Sequence, residues 1–258
     1  MRGFVVACVL LGLTTTVAVA EAKGKRAKKH AVEKHKKEEA AATPAKRERE
    51  RGHEAKREDE IALPKKKKRD RSLGAPWSGS LQAAAKLPPG DGYFLRRPWR
   101  TYATRTTIDF VREAIKDTLE SYPRVHTLAI GDFSQESGGK ITEHASHQSG
   151  RDVDIGLFYK KQPEGYPASF VKGTKDNLDA AATWRLASLL ARTSDEDGGV
   201  LMIFLDQKLQ DVLVLWAEKH HISEKRIKEV QRVFHHIPLH TDHMHVRFKC
   251  RERDTSCR

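Results

Sequence analysis

Apolar positions in the C-terminal two-thirds of this chain recur at two distinct periods, and the period assigns most of its elements. Ile108, Val111, Ala114, Ile115 and Leu119 repeat at helical spacing behind a Thr106-x-x-Asp109 capping box and stop at Tyr122-Pro123, predicting a helix over about 107–121. Val125–Phe133 reads as a strand that ends in a turn-rich segment with Gly138-Gly139. In Asp152–Tyr159, Val153, Ile155 and Leu157 alternate with Asp152, Asp154 and Gly156, so a strand carries two carboxylates on one face. Leu178, Ala181, Ala182, Leu186, Leu189 and Leu190 mark a second helix ending before Asp195, and Val200–Leu205 is a short apolar run suited to a buried strand. Leu209, Val212, Leu213, Trp216 and Ala217 define an amphipathic helix, and a shorter one follows over about 223–234. The last strand, His243–Lys249, points His243, His245 and Arg247 to one side and Met244, Val246 and Phe248 to the other. Mixed helices and strands without a repeat predict an α+β domain with a small central antiparallel sheet flanked by helices.

The pattern fails upstream of residue 76. Residues 1–20, MRGFVVACVLLGLTTTVAVA, combine one positive charge, an apolar core and Ala18-Val19-Ala20, which is the layout of a secretory signal peptide. Val5-Val6-Ala7-Cys8 has the outline of a lipoprotein cleavage box, but few residues precede Cys8, so it is counted with the leader. The apolar core is shorter than the roughly 18 residues that a membrane span needs, so no transmembrane segment is expected in the mature chain. Residues 21–75 hold 20 basic and 11 acidic residues and no aromatic one. Such a segment buries too little apolar surface to offset backbone ordering at roughly 1–2 kcal/mol per residue, and is expected to be a disordered basic tail. The remaining span, 76–258, has the size of one compact domain.

This division changes the meaning of the charge. The chain carries a net +13, but 76–258 holds only +3 of it, so the pI near 9.7 is a property of the tail and gives no reason to expect specific nucleic-acid binding. The run Lys65–Arg69 could touch an anionic polymer or lipid headgroups, or the tail could act as a solvated tether. Beyond the leader, two cysteines remain, Cys250 and Cys257, and in an oxidising compartment they are expected to form a small disulfide that contributes at most about 2–3 kcal/mol.

Two short stretches concentrate the reactive side chains: His144-Ala-Ser-His147-Gln-Ser-Gly-Arg-Asp152-Val-Asp154 and His240-Thr-Asp242-His243-Met-His245. Imidazole nitrogen and carboxylate oxygen are zinc ligands, and a hydrolytic zinc site takes three of them and keeps a fourth position for water. His243 and His245 leave one sheet face about 6–7 Å apart, so one can ligate while the other works on water or substrate. Gly150 lets the chain fold back and bring His147 beside Asp154. Each residue also has a plain reading as a cap, an ion-pair partner or a surface histidine, but five histidines and three aspartates in two such clusters outweigh coincidence. His220-His221 and His235-His236 are read as structural.

These two stretches resemble the signature of the penicillin-insensitive murein endopeptidases, within the wider zinc peptidase group that includes lysostaphin-type and D-Ala-D-Ala peptidases. The likeness runs from about Trp77 to Cys257 and includes Ile130-Gly131-Asp132. It implies one zinc ion on His147, Asp154 and His245, with His243 as base or transition-state stabiliser and His144 and His240 lining the site. Asp242 stands where the D-Ala-D-Ala branch has a glutamate base; being shorter, it ranks below His243, and Asp152 is expected in a supporting role. The implied reaction is hydrolysis of D-alanyl to meso-diaminopimelyl amides in peptidoglycan, in the periplasm. The rival readings are a D,D-carboxypeptidase and a non-catalytic wall- or polyanion-binding protein with a structural metal site.

Overall fold

The computed structural model describes residues 69–258, so the expectations for the leader and for most of the basic tail lie outside the described residues. A hairpin of β1 (Arg71–Ala75) and β2 (Ser78–Gln82) comes first. Residues 71–75, which composition alone assigns to the tail, therefore belong to the folded unit. What holds them is polar and invisible to a hydrophobic count. Gly74 N–H donates to Ser256 O at 2.8 Å, Arg258 N–H to Gly74 O at 3.0 Å, and Arg251 pairs with Asp70 at 2.5 Å. The Cys250–Cys257 disulfide closes the loop that carries Arg251 and Ser256.

A short ladder, β3 (Ala85–Lys86) with β5 (Tyr102–Ala103), leads into α1 (Arg105–Ser121). The helix starts two residues earlier than the capping-box reading, because Thr104 rather than Thr106 accepts the Thr107 N–H. α2 (Ala180–Arg192), α3 (Gln207–Lys219) and α4 (Glu224–Val233) follow the expected segments, each capped by an acid or hydroxyl: Asp179, Asp206 and Ser223. Their apolar faces bury Leu186, Leu190, Leu213, Ala217 and Val230 completely.

The central sheet has six strands in the order β4 (Tyr93–Leu95), β6 (Leu128–Ile130), β7 (Asp152–Gly156), β10 (His243–Phe248), β8 (Val200–Leu205) and β9 (Phe234–His236). It corrects the expected small antiparallel sheet: the inner pairings are antiparallel, but β4–β6 and β8–β9 are parallel. β4 and β9 have three residues each, too few for alternation to register. β6 is also three residues rather than the nine of Val125–Phe133, since only Ile130 pairs with β7 before the chain leaves the ladder. Among the described residues no helix is long and apolar enough to cross a membrane.

Candidate metal centre

Register does most of the assembly. β7 and β10 pair so that His245 lies opposite Asp154, Arg247 opposite Asp152 and His243 opposite Gly156. Directly opposed residues of an antiparallel pair share a face, so alternation along each strand turns two carboxylates and two imidazoles to the same side. All five residues of β7 are buried, which places both carboxylates where an ionised group must find partners.

The third element is the loop before β7. His147 sits in the left-handed region at φ 66°, a conformation that costs a non-glycine residue roughly 1–2 kcal/mol. It is held there by two bonds: its N–H donates to Asp152 Oδ2 at 3.0 Å, and its ring Nδ1 faces Phe133 O at 2.8 Å. The carbonyl fixes the tautomer, with the proton on Nδ1 and the Nε2 lone pair aimed into the site. Gly150 turns the loop at φ 69°, where a Cβ would lie 2.7 Å from Leu81. A second glycine, Gly131, lets β6 pass the site, since a Cβ there would lie 2.9 Å from the Asp154 Cβ.

Three donor atoms converge. His147 Nε2, His245 Nδ1 and Asp154 Oδ1 are each 3.2 Å from the other two. Ligands about 2.0–2.1 Å from a tetrahedral ion are separated by about 3.3 Å, and the edges of this triangle have that length. The carboxylate supports that fit: Asp154 Oδ1 is buried and has no hydrogen-bond partner among the described residues, although it faces two ring nitrogens. His144 joins a wider cluster, in which His144, His147 and Asp154 each offer an atom within 4.8 Å of the others and could hold a metal ion. Its Nε2, however, bonds Asp132 Oδ2 at 3.0 Å and is 3.8 Å from Asp154.

Electrostatics follow from burial and the concentration of charge. Burial pushes Asp154 and Asp152 upward, but the imidazoles of His147 and His245, with Arg247 on Asp152, outweigh it and hold both carboxyls well below the usual range. Burial likewise pushes His245 down, yet Asp152 and Asp154 raise it to about 9.

Asp152 braces this arrangement: besides the His147 N–H it receives the Arg247 guanidinium at 2.7 and 3.2 Å, and His245 Nε2 lies 3.4 Å away. Asp132 does the same for the outer wall, accepting from Arg97 at 2.7 Å, Arg100 at 2.9 Å and His144. Burial raises its carboxyl, but those partners bring it down to about 2. On the open side His243 stacks on Phe170, places Nδ1 2.6 Å from Asp242 Oδ1 and leaves Nε2 3.6 Å from Asp154 Oδ1. His240 packs against His243 at 5.0 Å and His245 at 6.0 Å between ring centroids, and its buried Nδ1 has no hydrogen-bond partner among the described residues. Burial first, then the neighbouring imidazoles, push its pKa down.

All eight residues singled out in the two sequence clusters meet here. Sequence reasoning missed the Arg97–Arg100 pair, Phe170, Phe204 and the placement of Trp77. No local pattern marks them, because each reaches the site from a loop or strand remote in sequence.

A profile of the family described as penicillin-insensitive murein endopeptidase matches residues 72–258. A protein of that name from Yersinia pestis bv. Antiqua is 31% identical over 200 residues, covering 72% of this chain and 69% of the relative. Another from Klebsiella pneumoniae is 28% identical over 202 residues, with the same coverage of each. A match that runs from within the first strand to the last residue, together with a relative 31% identical over 72% of the chain, means that the chain belongs to the penicillin-insensitive murein endopeptidase family.

Proposed function

We propose that this protein is an exported zinc peptidase that hydrolyses D-alanyl to meso-diaminopimelyl crosslinks in peptidoglycan. The observation that carries the reading is the 3.2 Å triangle of His147 Nε2, Asp154 Oδ1 and His245 Nδ1, three mixed nitrogen and oxygen donors spaced for one tetrahedral ion with a corner left over. His144 supports it by omission, since Asp132 already engages the nitrogen that would close a fourth protein ligand. An open coordination position favours catalysis over a structural site.

Bound zinc would supply a Lewis acid for the scissile carbonyl and lower the pKa of water to about 7. The protein's own groups manage the proton. Asp242 accepts the His243 Nδ1 proton, which leaves the Nε2 lone pair facing the site. His243 then takes the proton from the attacking water as its oxygen bonds to the carbonyl carbon, and delivers it to the amine nitrogen as the carbon–nitrogen bond breaks. Asp242 acts through His243 rather than as the base itself. His240, kept neutral by burial, has an N–H to offer the developing oxyanion, a contribution of about 3–4 kcal/mol for a well-placed donor. No serine is acylated in this scheme, in keeping with the family's name. The leader at 1–20 would deliver the protein to the periplasm, and the basic tail could hold it near anionic wall or membrane material.

Incubation of the zinc-loaded protein with purified sacculi, followed by mass spectrometry, should release uncrosslinked muropeptides. Loss of terminal D-Ala from monomers alone would favour the carboxypeptidase, and no release would favour a binding protein. His147→Ala should lose zinc by elemental analysis, whereas His243→Ala should keep it and lose at least a hundredfold in turnover. Full activity in His243→Ala would refute its role.

A further inference from the structure

Arg247 carries more donors than its pairing with Asp152 uses. Its Nε and Nη2 form a side-on fork on Asp152 Oδ1 and Oδ2, at 2.7 and 3.2 Å. A planar guanidinium carries five donors in two usable forks. The end-on fork, Nη1 with the second Nη2 proton, makes no hydrogen bond among the described residues, and 15% of the side chain remains open to solvent. The guanidinium carbon lies 5.3 Å from the centroid of the Phe204 ring and 5.9 Å from that of Trp77. Rings flanking a cation exclude water from it and strengthen whatever charge contact it makes.

This pair lies along the metal centre. Arg247 is two residues beyond His245 on the same face of β10, and Phe204, opposite His245 in the ladder, packs edge-on against that imidazole at 5.3 Å. Trp77 is 61% exposed at the turn of the β1–β2 hairpin, an unfavourable place for an indole with nothing to cover. The turn is not free to swing away: Pro76 O accepts the Gln148 N–H at 3.0 Å, which ties it to the loop bearing His147.

From this geometry we infer that Arg247 and Trp77 form a carboxylate-selecting subsite, in which the end-on fork receives a free carboxylate of the substrate and the indole covers its aliphatic stem. The inference rests on the proposed peptidoglycan reading, where the diaminopimelyl residue beside the scissile amide supplies such a carboxylate. Amidation of that group would replace two charge-assisted bonds by one neutral bond and place an NH₂ against a donor.

The test compares kcat/KM of the zinc-loaded full chain on purified crosslinked muropeptide dimers whose diaminopimelyl carboxylate is free or amidated. A preference of roughly tenfold or more for the free acid is expected in the wild type, from the strength of a paired charged hydrogen bond. Arg247→Gln should bring that ratio near one, with zinc content measured in parallel. Trp77→Ala, at an exposed position, should raise KM several-fold for the free acid with zinc content unchanged. Equal cleavage of both dimers by the wild type overturns the subsite and leaves the endopeptidase reading standing, whereas cleavage of neither defeats that reading instead. A preference that survives in Arg247→Gln also overturns the assignment, even if the variant is less stable.

Discussion

Asp152→Asn is the sharpest probe of how this centre is held, because it changes one oxygen to nitrogen outside the proposed ligand set. The native carboxylate is fully buried and serves the His147 N–H, the Arg247 fork and the edge of His245. An asparagine has one acceptor oxygen: at Oδ2 it still serves the His147 N–H and the Arg247 Nη2 but turns its NH₂ on the Arg247 Nε, and at Oδ1 it serves Nε alone and turns its NH₂ on the other two donors. Removing one partner of a buried ion pair costs about 3–5 kcal/mol. Arg247 retains some water contact, with 15% of its side chain exposed, so the lower end applies, about 3 kcal/mol. For a folded unit of this size each kcal/mol shifts Tm by about 2–4 °C, giving a fall of about 6–12 °C in metal-free protein. Either orientation weakens the brace behind His147 and His245, and zinc affinity should drop about 10- to 100-fold, as it does when groups behind metal ligands are removed. Calorimetry with and without chelator and a zinc titration against a chromophoric competitor measure the two effects. Adding Arg247→Met to Asp152→Asn should recover much of the stability but not the affinity, since only the charge imbalance is cured. A single variant within 2 °C of wild type in Tm, by the sensitivity used above, and unchanged in zinc affinity would refute the bracing role.

Two further outcomes follow from the same geometry. His245 is raised from 6.5 to about 9 in the metal-free fold, so its stabilising effect is complete below about pH 6.5 and is lost as pH rises through about 9. Metal-free protein should therefore melt at lower temperature at pH 9 than at pH 6, and zinc, which displaces that proton, should reverse the decline; a flat metal-free profile would count against it. Gly131→Ala places a methyl group 2.8 Å from Phe170 and 2.9 Å from the Asp154 Cβ, and should destabilise by about 1–3 kcal/mol and weaken zinc binding. At Gly139, where no atom lies within 4 Å but φ is 81°, alanine should cost only the backbone strain of about 1–2 kcal/mol and leave zinc untouched, as calorimetry and zinc titration on both variants would report.

What could be read from the chain divides by the range of the interaction that carries it. Among the described residues, periodicity located the four α-helices to within about two residues and the three strands β7, β8 and β10, because each has enough residues for alternation or helical repeat to emerge. β1 was hidden for the opposite reason: its anchors are Asp70, Arg251 and Ser256, a polar latch across the whole chain that composition counts as tail. Asp132 is legible only through a resemblance, since nothing in Ile130-Gly131-Asp132 reveals that two arginines and His144 converge on it.

The sheet error matters less to the site than its size suggests. The centre depends on the β7–β10 pair, which is antiparallel as the alternation requires, and the parallel strands β4 and β9 lie at the outer edges of the sheet. What the pattern could not supply was register. A shift of one residue would set Asp154 opposite Met244 or Val246 and carry the imidazoles to the other face. The observed register opposes each carboxylate of β7 with an imidazole or a guanidinium of β10, His245 to Asp154 and Arg247 to Asp152. A one-residue slip would leave two buried carboxylates without partners, at several kcal/mol each. The charged and imidazole side chains of β10 therefore penalise a one-residue slip, which explains why a strand buried on both faces can carry two aspartates at all.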